Sequence, residues 1–264
     1  MSDAGSRLNA MNRSENPFIA FLVIITAPIA AGALLLTWAP SNHFFDFSPK
    51  YDGYVEARDI SGTVDAVQDA TLTVFCGPNS NRGSLGTAWA IDKEVLQIKS
   101  DKALLVTNHH VIEDCIKPGS KLSVAKLLGK KRDAKLLTYD KKNDLALLEV
   151  DMKLKPLELS DNFMYSGYWV MSLGSAAGYE GSVSFGNIIN TTYDDVLFTN
   201  NISEGNSGGA LIDNEGKVVG VITWGVNNER EQYNGAKSLD ALCLKIIKCE
   251  YVYDGEKTWY DWKD

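Results

Sequence analysis

Residues 205–209 read Gly205-Asn206-Ser207-Gly208-Gly209, a serine surrounded by small residues in a chain of 264 residues. Glycine tolerates the left-handed backbone conformations that a sharp turn requires. Such a turn can expose a hydroxyl group and aim nearby backbone N–H groups at one point, as a serine nucleophile needs. Ser207 is therefore a candidate nucleophile. An ordinary glycine-serine loop is the alternative, because the motif alone does not separate the two.

The positions of the histidines restrict the base that could activate Ser207. The chain has three histidines, His43, His109 and His110, and none follows Ser207. An α/β-hydrolase needs the order serine, acid, histidine, so that fold cannot supply the base here. A base from His109 or His110 instead fits the order histidine, aspartate, serine of the chymotrypsin arrangement. No metal site is predicted, because adjacent histidines rarely bind one ion and the His-Glu-x-x-His spacing is missing.

An acid between the histidines and Ser207 in the chain would complete this arrangement. Asp144 directly precedes Leu145-Ala146-Leu147-Leu148, an apolar run typical of a buried strand. An aspartate at the mouth of such a strand can accept the imidazole N–H and fix the tautomer. The alternative is that Asp144 is only a turn residue.

Short β-prone runs alternate with Gly, Asn and Asp turns from about residue 66 onward. Many short strands at such spacing predict an all-β sandwich or barrel. The segment Ala236–Ile247 is a helix candidate that could begin as a strand. The β-prone runs are Thr71–Phe75, Gly86–Ile91, Ala103–Thr107, Leu145–Val150, Tyr168–Leu173, Ser182–Ile189, Val196–Thr199, Gly209–Ile212 and Val218–Trp224.

The charge of the chain argues against nucleic acid as the main partner. The formal net charge is −8, whereas phosphate binding depends on clustered Lys and Arg. One local basic cluster surrounds Gly129, and we interpret it as the solvated tip of a hairpin. Steering of a substrate is the alternative role. The cluster consists of Lys126, Lys130, Lys131, Arg132 and Lys135.

The segment Phe18–Ala39 contains no charged residue and is long enough to span a bilayer as a helix. Arg7 and Arg13 precede it, and acidic residues dominate the segment after it. The positive-inside rule then predicts a cytoplasmic N-terminus and an extracytoplasmic remainder. A cleaved signal peptide is the alternative. The uncleaved anchor is preferred, because the run is long for a signal peptide and Pro40 would follow the cut.

Five segments follow from these patterns. A single-pass membrane protein is predicted, with its folded domain outside the cytoplasm. The segments are a cytoplasmic tail over 1–16, a transmembrane anchor over 17–40, a stalk over 41–65, a folded domain over 66–249 and an acidic, aromatic tail over 250–264.

The chain has four cysteines, Cys76, Cys115, Cys243 and Cys249. An even number of cysteines outside the cytoplasm favours disulfides. Four cysteines allow three pairings, and we prefer Cys76–Cys115 together with Cys243–Cys249. Four reduced, buried thiols are the alternative.

The surroundings of the candidate residues resemble the motifs of one family. Val106–Ile112 (VTNHHVI) resembles the histidine motif of the HtrA-type, trypsin-like serine proteases. Asn143–Leu148 (NDLALL) resembles their aspartate motif, and Gly205–Leu211 (GNSGGAL) resembles their serine motif. Val183–Ile189 is similar to part of the segment that joins the last two. The resemblance covers roughly residues 66–249, and the ordered set of motifs is more specific than any one of them.

The resemblance implies a chymotrypsin-like double β-barrel with a short C-terminal helix, behind the predicted transmembrane helix. It implies a serine endopeptidase that acts on proteins or peptides without a cofactor. Ser207 would attack the carbonyl, His110 would transfer the proton, and Asp144 would orient His110. The N–H groups of Gly205 and Ser207 would form the oxyanion hole. A catalytically silent binding module on the same fold is the alternative.

The resemblance says less about specificity and regulation. In chymotrypsin-like enzymes, the residue six before the nucleophile lies at the base of the primary pocket, and here it is the uncharged Asn201. Ile222-Thr223-Trp224-Gly225 resembles the strand that lines their substrate cleft, so Thr223, Trp224 and Gly225 are predicted substrate contacts. HtrA proteins usually carry a PDZ domain, but too few residues follow Ser207 for the rest of a barrel and such a domain. Cleavage specificity and oligomeric state stay open.

Overall fold

The computed structural model describes residues 54–78, 83–96, 98–162, 164–226 and 233–247. Its twelve strands form two closed antiparallel barrels. The predicted all-β double barrel is therefore confirmed. The predicted anchor over 17–40, the tails over 1–16 and 250–264 and most of the stalk lie outside the described residues. Within the described ranges, no helix has the length and apolar character that crossing a bilayer requires.

The first barrel has the strand order β1-β2-β3-β6-β5-β4. Its buried side chains belong to an apolar cluster that also includes side chains of the second barrel. Leu147 of the first barrel and Leu173 of the second are both members of this cluster. Strand β6 is buried over almost its whole length, which explains its apolar run without alternation. The strands are β1 (Thr71–Gly77), β2 (Ser84–Ile91), β3 (Ala103–Thr107), β4 (Lys121–Ala125), β5 (Arg132–Asp140) and β6 (Leu145–Val150).

The second barrel has the strand order β10-β11-β12-β9-β8-β7. A separate apolar cluster fills part of its interior and includes Phe198 and Ile222. The strands are β7 (Trp169–Gly174), β8 (Ser182–Thr191), β9 (Asp195–Phe198), β10 (Ala210–Ile212), β11 (Val218–Gly225) and β12 (Asn234–Ser238).

The strands β4, β5 and β12 were not among the predicted runs. Every residue of strand β5 is exposed or half-buried, so its sequence is polar and lacks a strong period. Strands β4 and β5 pair antiparallel, and the Gly129 N–H donates to the Lys126 carbonyl oxygen at 2.7 Å in the turn between them. The predicted basic hairpin is therefore confirmed.

Three α-helices accompany the barrels in the described residues: α1 (Ile60–Ala70), α2 (His109–Ile112) and α3 (Leu239–Leu242). Helix α1 was not among the predicted elements, and it crosses the boundary predicted between the stalk and the folded domain. Val67 and Ala70 of α1 are buried. The predicted late helix starts as strand β12 and becomes helical at α3, which continues into a π-helical turn over Cys243–Ile247.

Asp213 is a fully buried carboxylate in the turn between β10 and β11. It accepts hydrogen bonds from the Ser160 hydroxyl at 2.6 Å and from the backbone N–H groups of Glu215 and Lys217, both at 2.9 Å. Burial nevertheless raises the pKa of Asp213, because the lost hydration of the charged form outweighs these hydrogen bonds.

The raised pKa of Asp213 predicts a pH-dependent contribution to stability. The folded protein binds this proton more tightly than the unfolded chain. The contribution of protonated Asp213 to the free energy of unfolding is therefore fully present below about pH 4. It is lost as the pH rises through the folded-state pKa. We expect Asp213→Asn to gain unfolding free energy relative to the wild type as the pH rises from about 4 to about 7. Urea unfolding of both proteins across this range measures the difference, and a constant difference would contradict the raised pKa.

Candidate active site

The first barrel brings His110 and Asp144 into direct contact. His110 lies in α2, directly after β3, and Asp144 directly precedes β6, which pairs with β3. His110 Nδ1 lies 2.6 Å from Asp144 Oδ2, and the His110 backbone N–H donates to Asp144 Oδ1 at 2.8 Å. Both carboxylate oxygens therefore bind the same histidine and restrict the orientation of its ring.

The two adjacent histidines differ in their surroundings. His109 is 4 % exposed, and its ring centroid lies 5.0 Å from that of Tyr139. The His110 side chain is 45 % exposed. The ring of His110 is therefore accessible from solvent, whereas His109 belongs to the packed interior.

Asn108 is a residue of the site that sequence reasoning left without a role. Its side-chain amide donates to the Asp144 carbonyl oxygen at 2.8 Å and to Thr223 Oγ1 at 3.1 Å. Thr223 lies on β11, so Asn108 links the aspartate of the first barrel to a strand of the second. Its place in the histidine motif was visible in the sequence, but this bridge was not.

The turn that carries Ser207 requires two of its glycines. Gly205 has φ +96° and Gly208 has φ +83°, in the left-handed region that favours glycine. A Cβ at Gly205 would also overlap the Ser175 carbonyl oxygen, and a Cβ at Gly208 would overlap the Thr87 carbonyl oxygen. Space and backbone conformation thus both exclude larger residues at these two positions.

The Ser207 turn packs against the segment that leads into His110. A Cβ at Gly208 would lie 3.1 Å from the Asn108 backbone nitrogen. In the part of the chain that the structure describes, no hydrogen bond joins the half-buried Ser207 hydroxyl to His110. Such bonds often tighten only when a substrate is bound. The structure therefore joins His110 to Asp144 directly and places the serine turn beside them.

The backbone on either side of Gly205 has a defined orientation. The Glu204 carbonyl oxygen accepts a hydrogen bond from the Ala177 N–H at 2.6 Å. In a trans peptide the C=O and N–H point in opposite directions, so the Gly205 N–H points away from Ala177. Among the described residues, the N–H groups of Gly205 and Ser207 donate to no backbone acceptor.

The predicted substrate contacts lie near one another on the second barrel but differ in exposure. Asn201 is exposed, Thr223 is buried, and Trp224 is 36 % exposed. A Cβ at Gly225 would lie 2.5 Å from Asn234 Oδ1. The side chain of Asn234 therefore fills the space beside Gly225, and sequence reasoning did not identify it.

Ile202 also lies beside Gly225. Its Cδ1 would be 3.6 Å from a Cβ placed at Gly225. The amide of Asn234 in turn donates to the Asn200 carbonyl oxygen at 2.5 Å. An apolar and an amide side chain thus flank Gly225.

A disulfide ties the histidine segment to the first barrel. Cys76 on β1 is bonded to Cys115, five residues after His110, and their Cα atoms are 5.5 Å apart. This predicted pairing is confirmed. Cys243 is also disulfide-bonded, and its predicted partner Cys249 lies outside the described residues.

Removing the first disulfide is expected to destabilise the fold. The bond closes a loop with a sequence separation of 39 residues, and chain entropy then predicts a stabilisation of about 3–4 kcal/mol. We expect the double variant Cys76→Ala with Cys115→Ala to lose about this much unfolding free energy, as measured by urea unfolding. Equal unfolding free energies for the variant and the wild type would contradict this role.

Comparisons with known proteins agree with this architecture. The trypsin-like peptidase domain family matches residues 86–221, just over half of the chain. The "probable periplasmic serine endoprotease DegP-like" of Chlamydia muridarum is 30 % identical over 172 residues, which are 61 % of this chain and 34 % of the relative. The protein of the same name from Rhizobium meliloti is 36 % identical over 167 residues, 59 % of this chain and 32 % of its own. The chain thus spans about a third of the length of these curated relatives.

A solved structure is also similar. The crystal structure of the serine endoprotease from Yersinia pestis matches with a TM-score of 0.61 and 26 % identity, over 74 % of this chain and 67 % of that chain. The family match, the double barrel and the ordered motifs agree, and the predicted resemblance is confirmed. This chain belongs to the trypsin-like peptidase domain family.

Proposed function

We propose that this protein is a serine endopeptidase that hydrolyses peptide bonds through an acyl-enzyme on Ser207. The observation that carries the proposal is the double contact between Asp144 and His110, beside the serine turn. Family membership and the serine endoprotease names of the relatives support it.

Each of the three residues has a distinct task in the proposed reaction. Ser207 Oγ attacks the peptide carbonyl while His110 Nε2 takes the hydroxyl proton. His110 then gives this proton to the leaving amine, and a water molecule hydrolyses the acyl-enzyme by the same route. Asp144 keeps the proton of the neutral imidazole on Nδ1, so that Nε2 is free to act as the base.

The negative oxygen of the tetrahedral intermediate needs donors that are already in place. We assign this role to the N–H groups of Gly205 and Ser207. The contact between Glu204 and Ala177 supports the assignment, because it turns the Gly205 N–H away from the neighbouring turn. Donors fixed before the reaction need no reorganisation when the charge develops.

The substrate would be a protein or peptide that lies along β11. Asn201, Thr223, Trp224 and Gly225 are the proposed contacts. Since Ile202 and Asn234 occupy the space beside Gly225, we propose a primary pocket that accepts small, uncharged side chains.

The proposed location is outside the cytoplasm. The names of the curated relatives include the word periplasmic, and the sequence of residues 17–40 is apolar enough for a membrane anchor. We therefore propose a single-pass protein with a cytoplasmic N-terminus and a protease domain on the other side of the membrane.

A fluorophosphonate probe tests the proposal, because it reacts with activated serine hydroxyls. We expect the full-length wild-type protein to be labelled and Ser207→Ala to remain unlabelled. Peptide mapping of the labelled protein should place the adduct on Ser207. A folded wild type that neither labels nor cleaves a peptide library would contradict the enzyme and favour the silent binding module.

A further inference from the structure

We infer that Thr87 is a positioning residue that holds the oxyanion turn in its reactive conformation. Thr87 lies on β2 of the first barrel, far from Ser207 in the sequence, and is fully buried. It has no access to a substrate, so its effect on the reaction must pass through the residues that it contacts. The inference rests on the proposed function, because it concerns the same active site.

All polar groups of Thr87 make hydrogen bonds. The hydroxyl donates to the Gly205 carbonyl oxygen at 2.6 Å and accepts from the Ser175 N–H at 2.9 Å. The backbone N–H of Thr87 donates to the Ser207 carbonyl oxygen at 2.8 Å. Its carbonyl oxygen accepts from the Thr107 hydroxyl at 2.7 Å. One buried residue of the first barrel thus holds the serine turn of the second at two carbonyl groups.

These contacts fix the peptide groups on both sides of the proposed oxyanion donor. The Gly205 carbonyl is held by Thr87, and the Glu204 carbonyl is held by the Ala177 N–H. The Gly205 N–H lies between these two carbonyls. Ser175, two residues before Ala177, is bound to the same Thr87 hydroxyl. A single hydroxyl therefore supports both turns that aim the Gly205 N–H.

Loss of this hydroxyl would leave two buried groups without partners, the Gly205 carbonyl and the Ser175 N–H. Buried unpaired polar groups are costly, so both turns should shift toward other partners or water. The binding surface on β11 is not part of this contact. Removal of the hydroxyl should therefore affect the chemical step more than substrate binding, since it moves a donor that acts mainly in the transition state.

Two matched comparisons isolate the hydroxyl: Thr87→Val with the wild type, and Thr87→Ala with Thr87→Ser. Thr87→Val keeps the shape of threonine without the hydroxyl, and Thr87→Ser keeps the hydroxyl without the methyl group. Thr87→Ala differs from Thr87→Ser by the hydroxyl alone and replaces Thr87→Val if valine prevents folding. All variants are made in the full-length protein, and circular dichroism checks their fold.

Kinetics on one peptide substrate give the first test. We expect the valine and alanine variants to lose about 10- to 100-fold in kcat, with KM within about threefold of the wild type. Thr87→Ser should retain kcat within about threefold. Thr71→Val is the control, because it removes another buried threonine hydroxyl, which donates to the Val67 carbonyl oxygen at 2.7 Å, away from the serine turn.

Amide hydrogen exchange gives a second test that does not depend on turnover. Peptides that cover Ser175 and the serine turn should exchange faster in the valine and alanine variants than in the wild type and Thr87→Ser. Wild-type kcat in Thr87→Val or Thr87→Ala would overturn the inference and leave the proposed function intact. A wild type without hydrolysis would overturn the proposed function instead, and unchanged exchange at Ser175 in the variants would then overturn the positioning role as well.

Discussion

Ser207→Ala is expected to lower kcat by on the order of 10⁶. The substitution removes the oxygen that forms the acyl-enzyme but leaves the backbone N–H groups of the proposed oxyanion hole in place. Residual hydrolysis should therefore exceed the uncatalysed rate, by about 10³–10⁴ in a triad enzyme that has lost one member. The KM should change little, because the cleft walls are formed by other residues. Steady-state kinetics on a fluorogenic peptide measure both constants.

Ser203→Ala is the matched control for this experiment. Ser203 is an exposed serine four residues before Ser207, and its carbonyl oxygen accepts the Asn206 N–H at 3.1 Å. Alanine keeps this backbone contact and removes only the hydroxyl. We expect kcat close to that of the wild type. If Ser207→Ala kept more than about a tenth of the activity, a different nucleophile would have to be sought.

The residues that the sequence could identify are those with a local signal. Asp144 stood out because a buried strand follows it, and β6 is buried as its apolar run predicts. The order of histidine, aspartate and serine along the chain excluded one fold class before any contact was known. Gly205 and Gly208 were visible because a tight turn needs glycine, and both have positive φ.

The residues that sequence reasoning missed depend on contacts between distant segments. The bond from the Thr87 hydroxyl to Gly205 joins residues that are 118 positions apart, and the bond from Asn108 to Thr223 joins residues 115 apart. No sequence pattern around Thr87 or Asn108 predicts which distant residue its side chain will bind. The position of Asn234 beside Gly225 likewise follows from the pairing of β11 with β12.

The missed secondary structure has a related physical cause. The residues of strand β5 are exposed or half-buried. Pairing with β4 and β6, rather than its own composition, therefore makes it a strand. Helix α1 buries only Val67 and Ala70. Its apolar pattern is therefore weak, and packing on the barrel stabilises it more than its intrinsic propensity does.

Asp144→Asn is expected to lower kcat by about 10⁴, although the size and shape of the side chain are kept. The carboxylate of Asp144 accepts from both the His110 backbone N–H and the ring Nδ1–H. An amide has only one acceptor oxygen. If this oxygen binds the backbone N–H, the NH₂ group faces Nδ1 and favours the tautomer with its proton on Nε2. That tautomer cannot take the proton of Ser207.

Asp151→Asn is the control for the loss of one negative charge. Asp144 precedes β6 and Asp151 follows it, so the two carboxylates lie at opposite ends of one strand, and Asp151 is exposed. We expect Asp151→Asn to retain wild-type kcat, while Asp144→Asn loses activity without a large change in KM.

Nitrogen-15 NMR of His110 should show the proton on Nδ1 in the wild type and on Nε2 in Asp144→Asn. A loss of less than about tenfold, or an unchanged tautomer, would mean that a group other than Asp144 orients His110. Asp144→Asn should also lower kcat less than Ser207→Ala does, because loss of the orienting acid leaves the nucleophile in place.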